Sequence, residues 1–225
     1  MTTTALNGEN PSLVERVLSI TRQRILSGVY PPGSRLRLQM LAEESGASLI
    51  PVREALRVLE AERLVESIPN RGARVASLSL NDMQDLYNVR ILLETESVRH
   101  AQPLEPEEEA ELTALLDEMK TASASDDVER VLELHRTYHF ALYGRTHSSW
   151  LPYLIDLLWK HTERYQRLSL TFRHDAADPE HRAVLEALAR GDSDMAASAL
   201  RSHLETTARL VIEAYQAPTG EMATS

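Results

Sequence analysis

Three patterns in the sequence predict a mainly α protein in two parts. Helical hydrophobic periodicity, punctuated by capping residues, runs through most of residues 12–215. Only residues 65–78 change to a strand-like pattern, around the turn sequence PNRG. The charge is also uneven: residues 1–76 carry ten arginines against eight glutamates, a net +2, and the rest carries 14 basic and 26 acidic residues, a net −12. We therefore expect an N-terminal winged helix-turn-helix with a small β-hairpin wing and a C-terminal all-helical bundle.

Composition narrows the functional classes. The 225 residues are 43% hydrophobic, which is enough for a packed core. No run approaches 18 apolar residues and no secretory signal is present, so we expect a soluble, cytoplasmic protein with no membrane partner. The net charge of −10 argues against a protein that coats nucleic acid by bulk attraction. Since the chain has no cysteine, a transition metal would have to be held by His, Asp or Glu.

The first two predicted helices are marked by their ends. Ser12 can cap the first helix, which runs to Gly28, a good terminator. A turn, YPPGSRL, follows. Residues 39–45 then form a short helix that Gly46 closes.

The third helix, PVREALRVLEAERLV at residues 51–65, carries a charge pattern that needs a reason. Arg53 and Arg57 lie one helical turn apart, where like charges repel, and Ser48 can cap the helix. An anion outside the protein would explain the pair, and arginine suits phosphate and guanine. The alternative is a solvated helix face on which Glu54 and Glu60 pair with Arg57. The opposite face is predicted to be buried through Val52, Ala55, Leu56, Leu59 and Leu64.

Two strand-like segments, VESI and ARVASL, flank PNRG after this helix, and Asn70 and Gly72 suit a hairpin turn. A short helix packed beside a third one and followed by such a hairpin is the winged helix-turn-helix arrangement. In this arrangement the second helix of the pair enters the major groove of DNA. Operator phosphate, with a guanine edge as the second possibility, is therefore the expected anion.

Residues 11–76 resemble the DNA-binding domain of GntR-type transcriptional regulators. The resemblance is carried by SGVYPPGSRL, LAEESGAS, PVREALRVLE, RLV and PNRGARV in that order. It places Arg53 and Arg57 on the recognition helix, Ser48 at phosphate and Arg71 with Gly72 at the tip of the wing. The candidate DNA-binding residues are Arg35, Arg37, Gln39, Ser48, Arg53, Arg57, Arg71 and Gly72.

Two departures from that family pattern bear on the operator. Leu49 and Ile50 stand where the family usually has Arg-Thr, and Arg63 stands where it usually has Gly. Losing a bidentate arginine contact costs about 1 to 3 kcal/mol of base discrimination. We therefore expect the operator to differ from the usual one.

The second part of the chain is predicted to be helical throughout. The predicted helices cover residues 81–101, the stretch EEEAELTALLDEMK, and residues 126–145, 149–172, 179–190 and 193–215. Asp178 and Pro179 form a cap and first-turn signature. The resulting domain prediction is a disordered N-terminus at 1–10, the winged helix-turn-helix at 11–76, a linker at 77–80, an all-helical effector-binding and dimerisation domain at 81–216, and a disordered tail at 217–225.

Histidines carry the chemistry of this second part. His135 and His139, in HRTYH, project from one face of a helix, while His181 and His203 lie in the apolar stripes of two others. A buried neutral imidazole without a partner is costly. The four rings therefore either hydrogen-bond one another beside an organic effector or share a metal. The remaining histidines, His100, His147, His161 and His174, are predicted to lie at the surface.

Residues 80–215 resemble the all-helical ligand-binding domain, FCD, of the FadR subfamily. The motifs are VRILLE, YHFAL, EHRAVLEALARGD and ALRSHL. The resemblance implies a homodimer that binds palindromic operator DNA in response to a small carboxylate effector. It also implies a divalent metal on His139, His181 and His203, with His135 where metal-binding members carry Asp. Zinc is the first candidate, and nickel, manganese or iron are alternatives.

We predict a ligand-responsive DNA-binding transcriptional regulator, a repressor, and not an enzyme. Arg90, in VRILLE, is the candidate clamp for the effector carboxylate, and a salt bridge with Glu94 is its alternative role. The competing functions are a metal-dependent hydrolase and a metal-sensing helical protein with no DNA role. HRTYH has the spacing of the zinc-protease helix, but Arg136 replaces the general-base Glu. A purely metal-sensing protein would leave residues 11–76 unexplained.

Overall fold

The computed structural model describes residues 11–68, 72–170 and 177–216, and the chain divides between Leu78 and Ser79 into two compact units. Within these described ranges, no helix has the length and apolar character to cross a membrane. The predicted disordered ends at 1–10 and 217–225 lie outside the described residues, as do Asn70, Arg71 and His174.

The first unit contains three helices and a small sheet. Its elements are α1 (Leu13–Leu26), β1 (Arg35–Leu36), α2 (Leu38–Ser45), α3 (Leu49–Ala61), β2 (Val65–Ile68) and β3 (Gly72–Val75). All pairings are antiparallel, in the order β1-β3-β2. The hairpin register sets Val65 opposite Val75 and Ile68 opposite Gly72. The predicted wing is confirmed, whereas β1 lies in the segment that we predicted to be only a turn.

Local capping explains where these helices begin and end. The Ser12 hydroxyl accepts from the Glu15 backbone, and Glu15 accepts from the Ser12 backbone, which closes a capping box on α1. Gly46 ends α2 with φ of 64°, a conformation that favours glycine. Ser48 precedes α3 as predicted, but its side chain makes no capping hydrogen bond.

The core of the first unit lies between its helices and the sheet. The predicted apolar stripe of α3 is buried in full, and it packs with residues from every other element of the unit. Burial of this stripe stabilises α3 against the rest of the unit, at about 25 cal/mol per Å² of apolar area removed from water. The opposite face of α3 is left to solvent.

The second unit consists of helices. They are α4 (Leu80–Arg99), α5 (Pro106–Ala124), α6 (Val128–Tyr143), α7 (Trp150–Leu170), α8 (Ala177–Ala189) and α9 (Ser193–Gln216). Their core is apolar and includes Leu116, Leu142, Trp159 and Leu200. The predicted mainly α fold class is confirmed. Helix α8 begins two residues earlier than predicted, so Asp178 lies inside the helix instead of capping it.

Helix α4 buries two charged side chains while it exposes an apolar one. Val89 is 43% exposed. Arg90 and Glu94, which are 1% and 0% exposed, take the interior positions instead. The two side chains neutralise each other through a salt bridge, so they can occupy positions that the hydrophobic pattern alone assigns to apolar residues.

Candidate functional site

Helix α3 presents two arginines to solvent. Arg53 and Arg57 are both exposed, on the face opposite the buried stripe. Among the described residues neither arginine forms an ion pair. Glu60, the partner that a solvated face would offer to Arg57, instead accepts hydrogen bonds from the backbone nitrogen and hydroxyl of Ser67, at 3.2 and 2.7 Å. Both guanidinium groups are therefore available to an external anion.

The other candidate DNA-binding residues lie in the segments of the first unit that precede and follow α3. Arg35 lies on β1 opposite Arg74, Arg37 precedes α2, and Gln39 is in its first turn. The described members of this group are all exposed: Arg35, Arg37, Gln39, Ser48 and Gly72. Arg71 lies outside the described residues, so its place at the wing tip stays a prediction.

The start of α3 is unusually apolar. Leu49 is 42% exposed and Ile50 is 71% exposed. Neither side chain can donate to phosphate, so this end of the helix lacks the arginine contact that the family pattern provides.

In the second unit the four predicted histidines converge. One ring nitrogen from each of His135, His139, His181 and His203 lies within 4.8 Å of the others. His139, His181 and His203 are buried, and His135 is half-buried. The Nε2 atom of His139 is 3.1 Å from Nε2 of both His135 and His181. The cluster therefore converges on His139 from helices α6, α8 and α9.

A hydrogen-bond chain fixes the tautomer of His139. Tyr143 lies four residues later on α6, and its hydroxyl donates to the buried carboxylate of Glu94. That hydroxyl can only accept from His139 Nδ1, at 2.9 Å, so Nδ1 carries the hydrogen. The Nε2 atom of His139 then presents a lone pair to the centre of the cluster.

His203 has a similar partner. Its Nδ1 atom is 2.9 Å from the Glu180 carboxylate, which can only accept when ionised. The hydrogen therefore lies on Nδ1, and Nε2 is left as an acceptor. Two of the four imidazoles are thus oriented by acidic residues in the way that metal-bound histidines usually are.

The electrostatics favour a neutral ring at His139. Burial, followed by repulsion from the three neighbouring histidines, holds the pKa of His139 well below its ordinary value. Burial, followed by the adjacent Glu94 carboxylate, raises the pKa of the Tyr143 hydroxyl well above its ordinary value. A neutral imidazole beside a protonated phenol matches the hydrogen-bond directions given above and leaves the ring able to act as a ligand.

The donor set fits a divalent metal. A lone pair on His139 Nε2 accepts one hydrogen bond well, yet two nitrogens approach it at 3.1 Å. Nitrogens bound to one zinc at about 2.0 to 2.1 Å lie about 2.9 to 3.3 Å apart for octahedral to tetrahedral angles. The observed separations fall in this range. A cation at this point would give the His139 lone pair one partner in place of two competing nitrogens.

Arg90 lies beside this cluster. Its Nε and Nη2 atoms are 2.6 and 3.3 Å from the two carboxylate oxygens of Glu94, so the salt bridge predicted as its alternative role is formed. Its Nη1 atom is buried and has no hydrogen-bond partner among the described residues. Its guanidinium carbon is 4.7 Å from the centre of the Trp159 ring, which also contacts His139 at 5.3 Å between ring centres. Arg90 and His139 thus flank the same indole.

Several contributing residues were not predicted. Glu94 was considered only as a partner of Arg90, and Tyr143, Trp159 and Glu180 were not singled out. Tyr143 could have been found from its spacing, because it continues the four-residue series of His135 and His139 on α6. Glu180 and Trp159 could not have been found in this way, because each contacts a histidine that lies on a different helix. Of the other histidines, His100 and His147 are exposed, as predicted, and His161 is half-buried.

Arg136, the central residue of HRTYH, pairs with Asp156 at 2.5 Å. Its guanidinium also lies 4.1 Å from the centre of the Phe140 ring. An arginine held in an ion pair cannot accept a proton from water, so this position lacks the general base of the zinc-protease helix.

Comparison with known families agrees with the two units. A family model described as bacterial regulatory proteins, gntR family, matches residues 13–75, and one for the FCD domain matches residues 85–206. The structure is similar to that of Escherichia coli McbR/YncC, with a TM-score of 0.77 and 25% sequence identity over 92% of this chain and 100% of that one.

Two curated relatives are also transcriptional regulators. The uncharacterized HTH-type transcriptional regulator BphR of Paraburkholderia xenovorans is 31% identical over 89% of this chain and 85% of its own length. The HTH-type transcriptional repressor GlaR of Escherichia coli is 28% identical over 84% of this chain and 91% of its own length. The chain belongs to the gntR family of bacterial regulatory proteins, as a transcriptional regulator with a DNA-binding helix-turn-helix domain followed by an FCD domain.

Proposed function

We propose that this protein is a repressor that binds a palindromic operator as a homodimer and responds to a small organic acid held at a histidine-ligated metal. The observation that carries the DNA-binding role is the pair Arg53 and Arg57, exposed on α3 and without an ion pair in the described residues. Repression is supported by the similarity to GlaR, a repressor by its name.

In this proposal α3 lies in the major groove. Arg53, nearer the helix start, contacts a guanine edge or a phosphate, and Arg57 contacts phosphate one turn later. The Ser48 hydroxyl, which caps no backbone nitrogen, donates to phosphate at the start of the helix. Five further residues add backbone or minor-groove contacts: Arg35, Arg37 and Gln39 before and on α2, and Arg71 and Gly72 in the wing.

The metal would be held by His139, His181 and His203, with His135 as the fourth ligand. Glu94 acts through Tyr143 to orient His139, and Glu180 orients His203. Zinc is the first candidate for a set of four imidazole nitrogens, ahead of nickel, manganese and iron. When bound, the ion supplies a Lewis-acidic coordination position for an anionic ligand.

The chemistry of the site favours a carboxylate as the effector. Four neutral imidazole ligands do not offset the positive charge of a divalent ion. An Asp in place of His135 would offset part of that charge. A carboxylate would restore that balance. The carboxylate's first contact would be the metal, and Arg90 would provide a second one through Nη1. The salt bridge with Glu94 leaves this atom without a partner among the described residues.

Control of DNA binding then follows from linkage. Two recognition helices of a dimer reach half-sites about one helical turn apart only in some arrangements of the dimer. An effector changes operator affinity only if it binds the arrangements that reach both half-sites and the arrangements that do not with different affinities. The proposal is that effector binding shifts this balance and so changes the spacing of the two recognition helices.

Operator selection tests the DNA-binding part of the proposal. Sequence-selective duplexes would be isolated from a random pool with the full-length protein, and their affinity measured by fluorescence anisotropy at several salt concentrations. We expect a palindromic consensus and an affinity that falls steeply with salt, because phosphate contacts release counterions. Binding without sequence preference would contradict the proposal.

The metal and effector are tested on the same full-length protein. Elemental analysis of unchelated protein identifies a bound metal. Zinc should raise the thermal midpoint by mass action, and a panel of mono- and dicarboxylic acids should raise it further only in the zinc-loaded protein. His181→Ala should lose the zinc response while retaining operator affinity, and His100→Ala, at an exposed histidine, should keep both. An acid response in the absence of any metal would contradict the metal-linked site.

A further inference from the structure

The start of α3 carries two solvent-facing apolar side chains that its fold does not require. Ile50, at 71% exposure, is the most exposed large apolar residue in the described part of the chain, and the adjacent Leu49 is 42% exposed. Single exposed apolar residues are ordinary at protein surfaces. Two adjacent ones at the first turn of a recognition helix need a partner with apolar character.

These side chains share the outward face of the helix with its arginines. Ile50, Arg53 and Arg57 have the i, i+3, i+7 spacing of one helical face, and Leu49 lies one turn before Arg53. Pro51, Val52, Ala55 and Leu56 point the other way into the core. A ligand that reaches the guanidinium of Arg53 therefore also meets Leu49 and Ile50.

The chemistry of the DNA groove limits what such a pair can contact. Neither side chain has a donor for phosphate or for a base acceptor. The one apolar group on the base edges of the major groove is the C5 methyl of thymine. In helix-turn-helix proteins the first residues of the recognition helix are the ones that contact base edges.

We propose that Leu49 and Ile50 read thymine methyl groups in the operator, next to the base pair contacted by Arg53. This inference rests on the proposed DNA-binding function and adds a specificity to it. Each half-site would contain one or two thymines whose methyl groups are buried against these side chains. Ile50 makes the larger contribution because more of its surface is available for contact.

Replacing thymine by deoxyuridine tests this contact, because it removes the methyl group and keeps every base-pairing atom. The operator selected with the full-length protein would be resynthesised with one thymine replaced at a time. We expect one or two positions in each half-site at which the loss of a methyl weakens binding about fourfold, the effect of burying one such group. The other positions should be indifferent to the replacement.

A double-mutant cycle assigns the contact to its side chain. In Ile50→Ala or Leu49→Ala the sensitive position should lose its response to deoxyuridine, because the methyl group no longer has its partner. Val29→Ala, which truncates a side chain that is 62% exposed and lies outside α3, should keep the full response. Both tested positions are exposed, so the variants should keep the parent's thermal midpoint.

Two results would overturn the inference and leave the proposed function intact. One is a selected operator, bound tightly and with salt sensitivity, that tolerates deoxyuridine at every position. The other is a change in sedimentation of Ile50→Ala with an unchanged deoxyuridine response, which would assign the pair to contact between copies of the chain. Failure to select any sequence would instead overturn the proposed function and this inference together.

Discussion

The Tyr143 hydroxyl lies 2.9 Å from His139 Nδ1, one helical turn along α6. The same hydroxyl donates to Glu94 on α4. A single phenol thus connects a buried carboxylate to the imidazole at the centre of the histidine cluster, and it directs the lone pair of that imidazole toward the other three rings.

Removing this hydroxyl should weaken metal binding without removing a ligand. Tyr143→Phe leaves His139 Nδ1 without its acceptor and allows the hydrogen to move to Nε2, where it blocks coordination. We expect zinc affinity to fall about 10- to 100-fold, the usual effect of losing an orienting partner. Competition with a zinc chelator of known affinity measures the change.

Tyr138→Phe is the matched control for that variant. Tyr138 is also buried on α6, but its hydroxyl donates to the backbone oxygen of His181, at 2.8 Å, and to no imidazole nitrogen. It should lose stability and retain most of the zinc affinity. Equal zinc affinities in Tyr143→Phe and the parent would contradict the orienting role.

Arg90→Lys should separate effector binding from metal binding. A lysine can keep the charge opposite Glu94, but it has no planar fork and so no second donor in the place of Nη1. We expect about tenfold weaker binding of the carboxylic acid that gives the largest thermal shift, with zinc affinity retained. Isothermal titration of the zinc-loaded protein measures both quantities.

The control for Arg90→Lys is Arg99→Lys, at a surface arginine paired with Glu96. It should bind the acid as the parent does. If Arg90→Lys also binds the acid with unchanged affinity, Arg90 has only the salt-bridge role with Glu94.

The elements that the sequence predicted well are those whose signal is local. Most helix ends lie within about two residues of the predicted ones, because capping residues and glycines act on their own turn. Two ends were wrong by about four residues: α3, predicted to run to residue 65, ends at Ala61, and α5, predicted to end at Lys120, runs to Ala124. The convergence of the four histidines also followed from helical phase. The strand β1 was missed because two residues, Arg35 and Leu36, are too short to show alternation.

Other features depend on partners from distant segments. Burial of Arg90 and Glu94 contradicts the hydrophobic pattern of α4, and it is possible because each neutralises the other and Tyr143 adds a donor. The contact between His203 and Glu180 joins α9 to α8, and no spacing within one helix indicates it. The same holds for Trp159, which meets Arg90 from α4 and His139 from α6.

Arg63 offers a prediction about stability. It adopts φ of 55° just after α3, where the Leu64 nitrogen donates to Leu59 O at 2.9 Å. Side chains other than glycine are disfavoured there, and GntR-type regulators usually have glycine at this position. Arg63→Gly should stabilise the protein by about 0.5 to 1 kcal/mol. This is the net gain after the entropy that glycine loses on folding is subtracted from the relief of the disfavoured backbone conformation.

Thermal or urea unfolding measures this gain. Arg63→Ala removes the same charge and keeps the disfavoured backbone conformation, so it should show no comparable gain. A stabilisation of equal size in both variants would assign the effect to charge and not to the backbone.

The most direct test of the central claim is the affinity of Arg53→Ala for the selected operator. Arg53 is exposed and has no ion pair among the described residues, so its truncation should leave the fold and the zinc affinity unchanged. Loss of a bidentate base contact should weaken operator binding by at least about fivefold. An Arg53→Ala variant that binds the operator as tightly as the parent would show that α3 is not the helix that reads DNA.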